Sequence, residues 1–175
     1  MKIKAIVVCI LLVFMPWANA SEQDKYTRMG VNELKQQASG LHPSALYILA
    51  GKLFSEGKKD EAIFWFYVGQ IRYRFLLGAD PKLDPSGEPA VFSALQNTVG
   101  RRINEYAGGD PDTWVAMIKK ARQWDLDNPN EFTSKQEHHV LHQEILGGLD
   151  QMTSHIENNK DSIRQERAKR GLENR

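Results

Sequence analysis

Three groups of residues in this sequence carry side chains suited to chemistry. The first is HHVLH, His138 to His142. His138 and His142 are four apart and His139 and His142 three apart, so each pair shares a helix face and has the spacing for a metal. The arrangement is not the H-E-x-x-H of a zinc hydrolase, in which the glutamate serves as base. His155 stands thirteen residues beyond His142, about 20 Å along a helix, and cannot complete a site with it. A polar face is therefore the expected reading of the histidines, with a metal-handling site at His138 and His142 as the alternative. No metal ligand set and no cofactor are assigned.

The second group is the arginines. Arg72 and Arg74 sit two apart in an apolar run, so they cannot share a helix face and at least one points inward. A buried arginine must be paired, and Glu105, Asp110 and Asp112 are the acidic residues considered. Should the polar residues around these arginines line a pocket for an anion, the candidates are Gln70, Arg74, Arg101 and Asn104. The third group is acidic. Glu105 is the one carboxylate considered as the acid of a small wall-cleaving enzyme. No nucleophile elbow, phosphate-binding glycine loop or recognisable carboxylate pair accompanies it. Catalytic residues are not assigned.

These residues are positioned by helices. Asp60 to Leu77, DEAIFWFYVGQIRYRFLL, is apolar on nearly every face, which marks a helix buried on most sides. Gly57 and Gly78 bound it, and Gln70, Arg72 and Arg74 interrupt it too often for a membrane span. Pro43 to Ser55 carries Leu46, Leu49, Ala50, Leu53 and Phe54 at helical spacing, with Pro43 in the favoured first position. The short connection through Gly57 predicts that these two helices pack antiparallel.

Asp24 to Ser39 reads as a modest first helix. Pro89 to Ala107 repeats Val91, Phe92, Leu95, Val99, Ile103 and Tyr106 at three- and four-residue steps. Asp110 and Pro111 supply the cap and first residue of the next helix, which ends at Asn128-Pro129. Ser134 and Glu137 form a capping-box pattern before the last long helix. Within that helix Gly147-Gly148 marks a kink or a close crossing. Residues 158–175 are dense in charge of both signs and are expected to form a charged C-terminal tail, a solvated helix that frays. The fold class is thus all-α, a compact helical bundle or a degenerate hairpin repeat of about six helices over residues 21–157.

The first twenty residues have the pattern of an export signal: Lys2 and Lys4, an apolar run from Ala5 to Met15, and Ala18-Asn19-Ala20 as the cleavage motif. Cleavage after Ala20 removes Cys9, the one cysteine, so the mature chain has neither disulfide nor thiol chemistry. Removing Lys2 and Lys4 takes the basic count from 23 to 21 against 22 acidic residues, a net charge of −1. Neither nucleic acid nor an anionic membrane is drawn to such a chain. The expected location is a bacterial periplasm, with no membrane insertion after cleavage.

The helical pair over residues 43–77 resembles a tetratricopeptide or Sel1-like hairpin. Leu46, Leu49, Ala50, Leu53, Ala62, Phe66 and Gly69 stand at the relative spacings of that pattern, and Ala62, Trp65 and Phe66 match the Sel1 variant. The apolar run continues past the point where the pattern ends, and no second repeat follows in register. The resemblance implies a protein-binding scaffold without catalysis. The function expected is therefore an exported protein-binding protein, such as an immunity or inhibitor protein or an envelope adaptor. A small enzyme or metal-handling protein is the alternative.

Overall fold

The computed structural model describes residues 24–175; the expected signal segment and its cleavage site lie outside the described residues. Among the described residues there are no strands. After a helical stretch at 24–28, the elements are α1 (Val31–Gln36), α2 (Pro43–Ser55), α3 (Lys59–Ala79), α4 (Glu88–Leu95), a π-helical turn (Gln96–Gly100), α5 (Arg101–Ala107), α6 (Pro111–Asp127), α7 (His139–Asn158) and α8 (Lys160–Lys169). The chain is an all-α bundle. No described helix is long and apolar enough to cross a membrane.

The bundle is built around α3. Residues Ala62 to Tyr73 are all buried, an unbroken run that only a helix covered on every side can bury. The side chains of Ile63, Phe66, Tyr67, Ile71, Tyr73 and Phe75 are shut off from water. Each contributes about 1.5–3 kcal/mol relative to exposure. Helix α2 makes the most extensive contact with α3 and α6 the next, while α5 and α7 cover the remaining sides. The α2–α3 turn is tight because Gly57 takes φ +80°, and Lys58 N–H reaches back to Leu53 O at 3.0 Å. At Gly69 the helices approach so closely that a Cβ would stand 3.1 Å from Leu46 Cβ and 3.0 Å from the Tyr47 ring.

Four elements differ from the sequence expectation. Met29-Gly30 interrupts the expected first helix, and α1 ends in turns at Gln37 to Gly40. The carbonyls freed there accept from Arg72, at Ala38 O and Ser39 O, and from Glu131 N–H. Helix 89–107 is continuous but contains one π turn, so α4, the turn and α5 form a single rod. The last long helix starts at His139 rather than at Ser134. Ser134 Oγ accepts the Glu137 N–H (3.2 Å), but it caps a single turn that precedes α7.

The fourth difference is the end of residues 158–175, expected as a solvated helix that frays. Lys160 to Lys169 is helical, and the residues after it fold back on α5. Arg175 N–H donates to Gly109 O (2.7 Å), and the Arg175 guanidinium lies 3.6 Å from the Tyr106 ring centre. Arg167 donates to Glu105 O and to Glu173 O. Two of its charges, Arg167 and Arg175, thus join backbone carbonyls and an aromatic face.

Candidate binding groove

Gln70 and Arg74 are one turn apart on α3, and the structure brings them to the same groove between α3 and α7. Its volume is about 360 Å³. Leu141, Ile145, Leu149 and Met152 form the apolar wall, with Glu144 beside them. Gln70 is 7% exposed. The π turn carries Gln96 to it: Gln70 Nε2 stands 3.5 Å from Gln96 Oε1, and Gln96 Nε2 donates to Tyr47 Oη at 3.1 Å. The extra residue of a π turn re-aims the side chains that follow, and such turns recur at functional sites.

Arg74 is exposed, its guanidinium 5.9 Å from the Phe92 ring centre. Neither Arg74 nor Glu144 has an ion pair among the described residues. Gly148 lines the groove, and neither it nor Gly147 has an atom within 4 Å of where a Cβ would stand. The glycine pair therefore marks no close crossing among the described residues; α7 continues through it as one helix.

The other two candidates lie elsewhere. Asn104, on α5, accepts a hydrogen bond from Tyr67 Oη of α3 (3.0 Å) and lines a second cleft. Arg101 is exposed and lines neither cleft. The expected four-residue pocket is thus two residues in one groove, one in another and one on open surface. Asn104 does meet α3, but at Tyr67, one turn before Gln70, while Arg101 is left exposed.

The buried arginine is Arg72, and its partner is none of the acids considered. Arg72 Nε donates to Asp125 Oδ1 (3.1 Å), Nη1 to Ala38 O (2.9 Å) and Nη2 to Pro129 O (2.7 Å), and the guanidinium stacks on Trp124 at 4.8 Å. Asp125 also meets His142 Nε2 at 2.7 Å and Lys135 Nζ at 3.2 Å. Burial pushes the Asp125 carboxyl up. The His142 hydrogen bond and the Lys135 and Arg72 charges outweigh it and hold the carboxyl below the usual range. Burial lowers Lys135 and Arg72 in turn, against the pull of Asp125.

Of the acids considered, Asp110 caps α6 by accepting from the Asp112 and Thr113 N–H groups. Asp112 pairs with Lys160 and Arg164 on α8, and Glu105 is exposed. The histidine expectation changes too. His142 is buried against Asp125 rather than on a polar face, and His138 stands outside the helix with its ring edge to Phe75. Both rings pack against Phe75, His138 at 6.2 Å and His142 at 5.3 Å between ring centres. Among the described residues, no three His, Cys, Asp or Glu side chains converge as a metal site.

Sequence reading missed Asp125 and the burial of His142 against it, and a signal for both was present. Asp125 continues the buried stripe Ile118, Ala121, and His142 begins the stripe Leu146, Leu149, Thr153, Ile156. A charged residue in phase with an apolar stripe is one that folding must bury and pair.

A second polar group lies at the start of α2. His42 caps the helix, its Nδ1 accepting the Ser44 N–H (3.2 Å) and lying 2.8 Å from Ser44 Oγ. Its Nε2 is 3.3 Å from Glu88 Oε2, which Tyr73 Oη also reaches. The order serine, histidine, carboxylate is that of a hydrolytic triad. Ser44 is only 3% exposed, however, and neither Ser44 nor His42 lines any of the five principal clefts. The constellation ties the starts of α2 and α4 to α3.

No family model matches the chain, and no solved structure matches it. Over 105 residues it is 28% identical to an uncharacterized protein of Haemophilus influenzae. The matched stretch is 59% of this chain and 40% of that protein's length.

Proposed function

We propose that this protein is an exported, periplasmic scaffold that binds another protein through the α3–α7 groove, as an immunity or inhibitor protein or an envelope adaptor. The observation that carries the reading is the groove itself. Arg74 and Glu144 present opposite charges without ion pairs among the described residues, beside an apolar wall, and Gly148 leaves open space above α7. Protein surfaces are recognised by this combination: an apolar patch for affinity, an arginine anchor, and flanking charge for register. A glycine costs a helix interior about 1 kcal/mol against alanine, and no contact among the described residues uses the space at Gly148. A partner's backbone or side chain packed against α7 would use it. The tetratricopeptide-like resemblance of residues 43–77 supports the same class, since helical hairpins of that kind serve as binding scaffolds.

The test is affinity capture with the tagged chain from Ser21 to Arg175, from periplasmic extract in low and raised salt. Arg74→Glu and Gly148→Arg variants, both at exposed positions, run in parallel. The reading expects one stoichiometric partner that survives the salt and is lost from both variants. A partner retained equally by both variants would remove the groove from the interface. Absence of any partner from well-folded protein would overturn the scaffold reading.

A further inference from the structure

A second cleft, of about 600 Å³, opens between α5, α6, α7 and α8. Its walls include Trp114, Met152, Ile156, Ile163 and Leu172. Its volume falls in the range of small-molecule sites, about 300–1,000 Å³. The hydrogen bonding fixes the sense of polar groups at its edge. Trp114 Nε1–H donates to Tyr67 Oη (2.8 Å), and Tyr67 Oη–H donates to Asn104 Oδ1 (3.0 Å). Burial raises the Tyr67 hydroxyl well above its ordinary value, so it remains a donor. Asn104 is thereby held with its carbonyl committed and its NH₂ as the remaining group.

Arg167 and Arg170 stand along the same edge. The Arg170 guanidinium has no partner among the described residues. Arg167 spends both terminal nitrogens on carbonyls, while its Nε is buried without an acceptor. The cleft's one carboxylate, Glu166, is taken by Lys169 at 2.6 Å. The site is therefore apolar within and carries two guanidinium groups against one paired carboxylate at its rim, with His155, Asn159 and Ser162 as neutral polar neighbours that can donate or accept.

We propose that this cleft binds a single-chain amphiphile with an anionic head, of the fatty-acid class. The tail lies along Trp114, Ile156 and Ile163, and the carboxylate meets Arg170 and the Asn104 amide. Charge complementarity selects the head, because a cationic head would face Arg170 and Arg167 with no free carboxylate to receive it. A single tail suits the volume of one cleft. This site is separate from Gln70 and Arg74 and is tested on purified protein alone, so its outcome is independent of whether a protein partner is captured.

The experiment titrates the chain from Ser21 to Arg175 with octanoate, decanoate and dodecanoate below their micelle concentrations, read by tryptophan fluorescence and calorimetry. Dodecyltrimethylammonium and acetate are the comparators. The expected result is saturable 1:1 binding that tightens about fourfold per added methylene, with acetate inert and the cationic amphiphile at least tenfold weaker. Arg170→Glu, at an exposed position, should weaken dodecanoate at least tenfold. Ser162→Trp, also exposed, should fill the cleft and abolish binding. Circular dichroism of both variants checks their fold. Equal binding of the cationic amphiphile, non-saturable uptake, or unchanged affinity in two folded variants would each overturn the proposal.

Discussion

Arg72 Nε and Asp125 Oδ1 lie 3.1 Å apart at the centre of the bundle, with side-chain exposures of 1% and 0%. The contact joins α3 to α6 across 53 residues of sequence. Around it the ends of other segments converge: the carbonyls after α1, the loop at Pro129, and Lys135, whose Nζ donates to Asp125 O and to Asn128 O. The ion pair therefore satisfies carbonyls that the ends of α1 and α6 leave without helical partners. Removing one partner strands the other in the core. Arg72→Met or Asp125→Asn is expected to cost about 3–5 kcal/mol, measured as the change in urea midpoint. The double variant Arg72→Met with Asp125→Asn should cost less than the two single changes summed, because neither member of this pair is left facing an empty partner.

The same carboxylate sets the acid side of the stability curve. Its folded-state value is depressed, so the unfolded chain binds its proton more readily. The stability it contributes is fully present above the ordinary aspartate value of about 4. That stability is lost as pH falls through the depressed value. Denaturant midpoints for the parent and for Asp125→Asn, taken from pH 7 to pH 2, should differ most near neutrality and converge in acid. Curves that stay parallel throughout would rule out Asp125 as an ionised anchor.

On the alkaline side the buried tyrosines decide. Burial raises the hydroxyls of Tyr47, Tyr67 and Tyr73, and Glu88 raises Tyr73 further. In the unfolded chain they ionise near pH 10. Above that pH the folded state binds more protons than the unfolded one, so stability falls as pH rises. Three such groups give a slope of about 4 kcal/mol per pH unit. Absorbance of tyrosinate should therefore rise in one step with loss of helix. Three tyrosines titrating gradually while the helical signal persists would contradict their burial.

Residues 170–175 fold onto α5 through Arg175 and Tyr106. A guanidinium over an aromatic ring at an exposed site contributes about 0.5–1 kcal/mol. Tyr106→Ala should leave the midpoint of global unfolding nearly unchanged while raising hydrogen exchange over α8 and the residues after it. Exchange in α8 that already matches an unfolded peptide in the parent would show that the docking does not persist in solution.

The helices were legible because local chemistry punctuates them. Pro43, Pro89 and Pro111 stand in the first turns of their helices, Gly57 turns the chain, and Asp110 caps α6. That one of Arg72 and Arg74 points inward followed from a two-residue separation. Which acid would meet it did not, since the mate lies 53 residues away and sequence spacing says nothing about distant partners. The candidate site was half legible for the same reason. Gln70 and Arg74 share a face by helix geometry alone, but Glu144 reaches their groove only through the packing of α7. Arg101 and Asn104 were joined to them on the expectation that their helix packs nearby; α5 does meet α3, but Asn104 does so at Tyr67 and Arg101 stays exposed.

Glycines with and without neighbours make the sharpest contrast in the fold. At Gly69 a methyl group would meet the Tyr47 ring and Leu46 Cβ at 3.0–3.1 Å, where neither side can yield without moving a helix. Gly69→Ala is expected to destabilise by about 1–3 kcal/mol. At Gly148 nothing stands within 4 Å, so Gly148→Ala should stabilise by about 1 kcal/mol through helix propensity. The same methyl group would occupy the space offered to a partner over α7. Gly148→Ala should therefore raise the thermal midpoint while weakening the captured complex, whereas Gly147→Ala, which does not line the groove, should raise the midpoint and leave the complex intact. Stability and binding moving in opposite directions at 148 alone would separate a glycine kept for an interface from one that is merely tolerated.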